Sequence, residues 1–292
     1  MKQIKIGTCV PGAKAEEWLK GFIGKGFEPF SLNFHMSLEG TDLDKLALST
    51  EKLLAGTDSK ITTIGYYCNP IQYAEHRKTL ENVICTAGKF GATHVSTFAG
   101  AWEGKPVESA YEEFGKVFRE LADLAEEKGV KLGIENCLMD GTWEHATCNI
   151  GFNPKAWEVM FEEVKNDNFG LEWEPTHQMV QLIDPVTELR KWCKKIVHIH
   201  GKDATIDWDA VRHSGISGAV PFVWHRMPGF GDTNWRDIIS ILRSNGYEDD
   251  ICIEGYHDPV YSGELEMTGQ LHALNYLKWC RGGDFTPTPW AK

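Results

Sequence analysis

LEWEPTHQMV, from Leu171 to Val180, alternates apolar Leu171 and Trp173 with Glu172 and Glu174. A two-residue period is that of a strand, whose successive side chains point to opposite faces. Pro175 ends the strand, and His177 stands three residues beyond Glu174. A carboxylate at a strand end with an imidazole just past it is half of a metal or acid–base site. Three further stretches end in the same way: KLGIEN (Lys131 to Asn136), IVHIHGKD (Ile196 to Asp203) and ICIEGYHD (Ile251 to Asp258). In each, the apolar residues take one parity (Leu132 and Ile134, Val197 and Ile199, Ile251 and Ile253). Glu135, His198 with His200, and Glu254 take the other. In a parallel sheet covered by helices the apolar parity faces the helices. If the sheet closes, Glu135, Glu174, His200 and Glu254 converge from four strands on one mouth.

The rest of the chain supplies the strands that closure needs. Strands are expected at Ile4 to Val10, Pro29 to His35, Ile61 to Tyr67 and Thr93 to Ala99, ahead of the four already named. Helical periodicity fills the gaps: Ala15 to Gly26, a helix opened by Thr41 and Asp42, about 72–90, and Glu108 to Lys128. Further helices start at Pro154 and Pro185, run through WRDIISILRSNG, and close at Gln270 to Cys280. Eight strands with intervening helices in this length is the arithmetic of a (β/α)8 barrel. An open doubly wound sheet would carry a glycine-rich phosphate fingerprint in its first turn, and GTCVPG does not match it. One domain over 1–292 is expected. It carries an active-site loop insertion at about 204–234, where both periodicities lapse among glycines, prolines and aromatics, and a tail over 282–292. Loops of that length are uncommon unless they have a function.

Composition narrows the function. Of 292 residues, 42% are hydrophobic and 25% charged, an ordinary globular balance. No apolar run approaches the ~20 residues of a membrane span, and MKQIKIG has no signal-peptide core. A cytoplasmic protein without a membrane partner is expected. The net charge of −12 speaks against nucleic acid, whose phosphates need a basic footprint. Eight scattered cysteines without a CxxC pair read as reduced, mostly buried thiols.

Three carboxylates and one imidazole from different strands suit one divalent cation in a mixed oxygen and nitrogen site. Mn²⁺ is expected, with Mg²⁺, Co²⁺ or Zn²⁺ as competitors. The competing reading makes them four unrelated strand ends, each with a local partner. Glu172 and His198 lie one layer below by parity, where support is expected rather than catalysis, and a hydrogen bond from Glu172 to His198 or Lys202 would satisfy the buried carboxylate.

The residues IENC (Ile134 to Cys137), CNIGFNPKAW (Cys148 to Trp157), GLEWEPTH (Gly170 to His177), VHIHGKD (Val197 to Asp203), HRMPGFGDTNW (His225 to Trp235) and IEGYHDP (Ile253 to Pro259) resemble the sugar isomerase/epimerase superfamily. These are the xylose-isomerase-like TIM barrels, which also include endonuclease-IV-type enzymes. The resemblance implies that Glu135, Glu174, His200 and Glu254 are metal ligands and that Glu135 and Glu254 act as acid and base. It implies substrate contact for His177, while Lys202 and Arg226 could hold hydroxyls, a carboxylate or a phosphate. The loop insertion is expected to fold over the mouth and bring Arg226 to the substrate. Asn69, Trp102 and His225 are candidate pocket residues, Asn69 also reading as a turn former before Pro70. The family usually has aspartate-Pro-Ser-His where this chain has Glu174-Pro-Thr-His177. The extra methylene extends the carboxylate by roughly 1.5 Å.

The leading expectation is a metal-dependent isomerase or epimerase that removes a proton α to a sugar carbonyl through an enediolate. The alternative is a metal-dependent lyase cleaving a 3-keto sugar or glycoside by the same proton abstraction. An endonuclease-IV-like phosphodiesterase and a non-catalytic sugar-binding protein rank behind. The partner is a small-molecule sugar, and a homo-oligomer is allowed.

Overall fold

The computed structural model describes residues 3–290. Residues 1, 2, 291 and 292, which the expected domain span and tail include, lie outside the described residues. Among the described residues there are ten strands: β1 (Lys5–Pro11), β2 (Pro29–His35), β3 (Lys60–Tyr67), β4 (His94–Thr97), β5 (Lys131–Glu135), β6 (Phe169–Trp173), β7 (Ile196–Gly201), β8 (Asp203–Ile206), β9 (Val223–Arg226) and β10 (Asp250–Ile253). Eight of them close into a barrel in the order β1-β10-β7-β6-β5-β4-β3-β2. Closure is a parallel pairing of β1 with both β10 and β2. This is the (β/α)8 architecture that the strand count implies.

The outer helices start where the capping residues put them. Asp42 accepts from the Lys45 N–H at 3.1 Å, and Asn153 accepts from the Lys155 N–H at 3.0 Å just before Pro154. Asp184 does the same for the helix Pro185–Trp192. The helix Tyr111–Glu127 buries Phe114, Val117, Phe118 and Leu121 on one face. Phe114 and Phe118 stack at 4.5 Å, and both rings approach Phe169 of β6. Each such ring contributes about 1.5–3 kcal/mol by leaving water. Leu132, Ile134, Leu171, Trp173, Ile199, Ile251 and Ile253 all belong to this main core. The polar parity is thereby left for the barrel interior, where Glu172 and His198 are fully buried.

The segment 203–226 departs from the expected irregular loop. β8 and β9 pair antiparallel, Asp203 opposite Arg226 and Ile206 opposite Val223, with a short helix at Trp208–Ser214 between them. Each strand has only four residues, too few for a periodicity to register, and the pairing joins residues distant in sequence. All eight cysteines are free thiols, six of them buried. Among the described residues no helix is long and apolar enough to cross a membrane.

Candidate active site

Strand ends deliver the polar groups. β5 terminates on Glu135, β7 carries His200, and Glu174 and Glu254 directly follow β6 and β10. Two asparagines set the backbone there. Asn136 donates to the Glu174 carbonyl at 2.8 Å and accepts from the Glu174 N–H at 2.7 Å. Asn149 donates to the carbonyls of Glu135 and Cys137 and accepts from the N–H groups of Ala99 and Gly151. Each asparagine replaces the ladder partner that a strand loses where it ends.

Four side chains meet as a result. One ligand atom from each of Glu135, Glu174, His200 and Glu254 lies within 4.8 Å of all the others, and all four residues are buried. His200 Nδ1 is 2.8 Å from Glu135 Oε1, 3.0 Å from Glu254 Oε2 and 3.8 Å from Glu174 Oε2. Neither oxygen of Glu174 accepts a hydrogen bond, although the residue is fully buried. His177 Nε2 and Lys202 Nζ stand 3.3 and 3.9 Å from its Oε1. A buried carboxylate without hydrogen bonds costs several kcal/mol unless a cation takes their place. Three hard oxygen donors and one imidazole, with no thiolate, fit a divalent cation of the Mn²⁺, Mg²⁺ or Zn²⁺ class.

Below this group lies a second polar layer. His198 Nδ1 is 2.6 Å from Glu172 Oε1, one of the two pairings expected for that carboxylate. His198 Nε2 is 3.0 Å from Asp250 Oδ1. His200 Nε2 is 3.2 Å from Glu172 Oε1 and 3.2 Å from the Tyr67 hydroxyl, which itself donates to Glu172 Oε2 at 2.8 Å. A proton on His200 Nε2 therefore has acceptors on that side, and Nδ1 faces the carboxylates of Glu135 and Glu254. Tyr67 reaches this position by folding back over Gly65. A Cβ at residue 65 would lie 2.6 Å from the Tyr67 hydroxyl oxygen.

Environment separates the carboxyls. Burial pushes Glu135 up to about 7 against the pull of His200. Burial raises Glu174 well above the ordinary carboxylate range, with Lys202 opposing. Burial acts to raise Glu254 too, but Lys202 (2.7 Å from Oε1) and His200 outweigh it and hold that carboxyl well below its ordinary range. Burial acts against the charge on Lys202, yet Glu174 and Glu254 keep the ammonium protonated far above its usual value. Burial and then Lys202 hold His177 well below its ordinary value and take His225 down to about 4, so both rings are neutral.

A cavity of about 890 Å³ opens above the four side chains and is lined by Glu135, His200, Lys202 and Glu254 together with His177 and His225. The remaining candidates lie elsewhere. The Arg226 Nε donates to Asp258 at 3.3 Å and its guanidinium lies over Phe230, so the residue does not line the cavity. The antiparallel pairing explains this: neighbours on a strand point to opposite faces, and His225 takes the cavity side. Asn69 is the turn former, accepting from the N–H groups of Gln72 and Ala101. Trp102 packs against the main core. His257, which lines the cavity, escapes the sequence reading although it follows Glu254 at the spacing of His177 after Glu174. Tyr67 escapes it because a phenol at a strand end resembles an ordinary core residue. Four residues with left-handed backbone that are not glycine, Glu39, Met139, Asp140 and His257, also line the cavity. Strained conformations of this kind collect at functional sites.

Inosose dehydratase of Clostridium tetani is 26% identical over 182 residues, 61% of this chain and 57% of that protein. The chain spans between 52% and 73% of the length of the first curated relatives it matches. Among solved structures, a xylose isomerase domain protein from Planctomyces limnophilus superposes with a TM-score of 0.72 at 17% identity, covering 95% of this chain and 97% of that one. 3-Keto-D-glucoside 4-epimerase, YcjR, from E. coli gives 0.68 at 15% identity, with 95% and 100% covered. The IOLI protein with a bound zinc atom gives 0.65 at 19% identity, with 95% and 96% covered. At these identities the structures speak to the fold. A model of the xylose isomerase-like TIM barrel matches residues 24–278, and the chain belongs to that family.

Proposed function

We propose that this protein is a divalent-metal-dependent lyase that eliminates a group β to the carbonyl of a keto sugar or keto cyclitol. The observation that carries the reading is the fully buried Glu174 carboxylate, without hydrogen bonds, facing Glu135, His200 and Glu254. A divalent cation held by these four residues, Mn²⁺ in our reading, would supply Lewis-acid polarisation of the carbonyl and neutralise charge developing on its oxygen. The chain's own residues do the proton work. Glu254, kept ionised by Lys202, accepts the proton α to the carbonyl. The electron pair left behind forms a carbon–carbon double bond as the β carbon–oxygen bond breaks. Glu135, through the carboxylate oxygen not taken by the ion, returns a proton to the leaving oxygen, so the net products are the unsaturated ketone and water or an alcohol. The neutral imidazoles of His177 and His225 line the cavity as donors and acceptors for hydroxyls.

The similarity to inosose dehydratases favours elimination over isomerisation. Epimerisation is the second reading, favoured by the likeness to a 3-keto-D-glucoside 4-epimerase, and it shares the first proton transfer. Incubation of the Mn²⁺-loaded protein with inosose in deuterated water separates the two. Elimination gives a product lighter by one water with the absorbance of an unsaturated ketone. Deuterium in recovered sugar without dehydration supports the epimerase. Absence of both exchange and product, repeated on other keto sugars, would exclude either chemistry.

A further inference from the structure

We infer that the cavity contains a second, apolar subsite opposite the four carboxylate and imidazole groups, and that it holds an aromatic aglycone joined to the keto sugar. The inference rests on the lyase reading and names its leaving group.

The barrel order divides the mouth into two arcs. Glu135, Glu174, His200 and Glu254 stand on the contiguous strands β5, β6, β7 and β10. The facing arc, β2 to β4, presents Phe34, Tyr67 and Phe98 to the same cavity with Asn33 and His35 beside them, and the loop after β5 adds Cys137, Leu138 and Met139 ahead of Asp140. Tyr67, Phe98, Cys137 and Cys148 form an apolar cluster of their own, separate from the main core, with Met36 and Met139 against it. The Tyr67 and Phe98 rings lie 5.3 Å apart at 47°. Most ligand cavities combine such an apolar wall with a few convergent polar groups, and methionine and cysteine adapt their packing to a flat guest.

Size and charge select the guest. At the ~30 Å³ that one water occupies in the liquid, a cavity of about 890 Å³ has room for about 30 heavy atoms, more than twice those of a hexose. Among the described residues that line it, Lys202 is the one lysine or arginine, and it is held by Glu254 and Glu174. A phosphate or carboxylate would therefore find no unpaired cation, while an uncharged ring would find Phe98 and Met139. In a 3-keto glycoside the carbon bearing the α-proton adjoins the anomeric carbon. Elimination then breaks that carbon–hydrogen bond and the glycosidic carbon–oxygen bond and forms a double bond in the sugar. The aglycone leaves as an alcohol carrying the returned proton.

The test compares benzyl and methyl 3-keto-β-D-glucosides on the Mn²⁺-loaded wild type, with release of the alcohol as readout. Both leaving groups are simple alkoxides, so a preference reports binding. The inference expects kcat/KM for the benzyl glycoside to exceed that for the methyl by about tenfold or more, equal to about 1.4 kcal/mol, with the difference in KM. Phe98→Ala should bring the ratio towards one, and the loop variant Met139→Ala should lower it in the same direction if the first variant folds poorly. Equal kcat/KM in the wild type would overturn the subsite while leaving the lyase. Dehydration of inosose without release from either glycoside would also overturn it, by making hydroxide the leaving group. Failure on all three compounds would remove the lyase reading itself.

Discussion

Glu174 has no hydrogen bond of its own, whereas Glu172, two residues earlier, has three partners: Tyr67, His198 and His200. The two glutamates share a parity and differ in layer, one a proposed ligand and the other a support that orients His200. Glu172→Gln should therefore weaken Mn²⁺ binding by about 10–100-fold and leave the circular dichroism of the folded barrel in place. Titration calorimetry reads the affinity, and an unchanged value would remove Glu172 from the orienting role. His198 carries a pH signature. Burial acts to lower it, but Asp250 and Glu172 raise it to about 9. A folded value above the ordinary unfolded ~6.5 means the stabilisation is complete below about 6.5 and is lost as pH rises through about 9. A tenfold difference in proton affinity between the folded and unfolded ring is worth about 1.4 kcal/mol, so the metal-free protein should lose on the order of a few kcal/mol over that window. A flat Tm between pH 7 and 10, or a His198→Gln variant with the same slope, would contradict it. That Glu172 is buried and paired was legible from alternation, which left His198 and Lys202 as its partners, because a carboxylate facing a barrel interior requires one; the structure gives His198. The role of Tyr67 was not, since its contacts depend on a ring folded back over Gly65.

Elements place these residues, and they were legible to differing degrees. The barrel strands follow their apolar alternation, and the capped helices begin at Asp42, Asn153 and Asp184 as their side chains dictate. The insertion was legible only as a lapse of pattern. Its hairpin depends on Asp203, a buried residue that accepts from the N–H groups of Ala204, Gly229 and Thr233. A similar anchor at Asp258 holds Met227, Val260 and Tyr261. No local periodicity encodes such contacts, which is why Arg226 was expected over the mouth and His225 is the residue that reaches it. Asp203→Ala orphans three amides, and each buried unsatisfied group costs about 1–3 kcal/mol. The variant should show faster amide exchange across 204–233 and a raised KM, with the barrel strands still protected. Uniform acceleration over the whole chain would instead make Asp203 a determinant of global stability.

At the scale of the whole molecule, barrel closure is what brings four strand ends, far apart in sequence, within a few ångströms. The fold and the four proposed ligands could be read from the chain because strand parity and strand order are both sequence properties. The opposite apolar arc could not, since its members look like core until closure leaves them facing a cavity. Ligand binding stabilises the state that binds it, so Mn²⁺ should raise the Tm and chelation should lower it. The most direct measurement is metal content per chain after purification without chelator and soaking in Mn²⁺, made on the wild type and on Glu174→Ala. The account predicts close to one bound ion per wild-type chain and a marked loss in the variant. A wild-type content that stays near zero after soaking would contradict it.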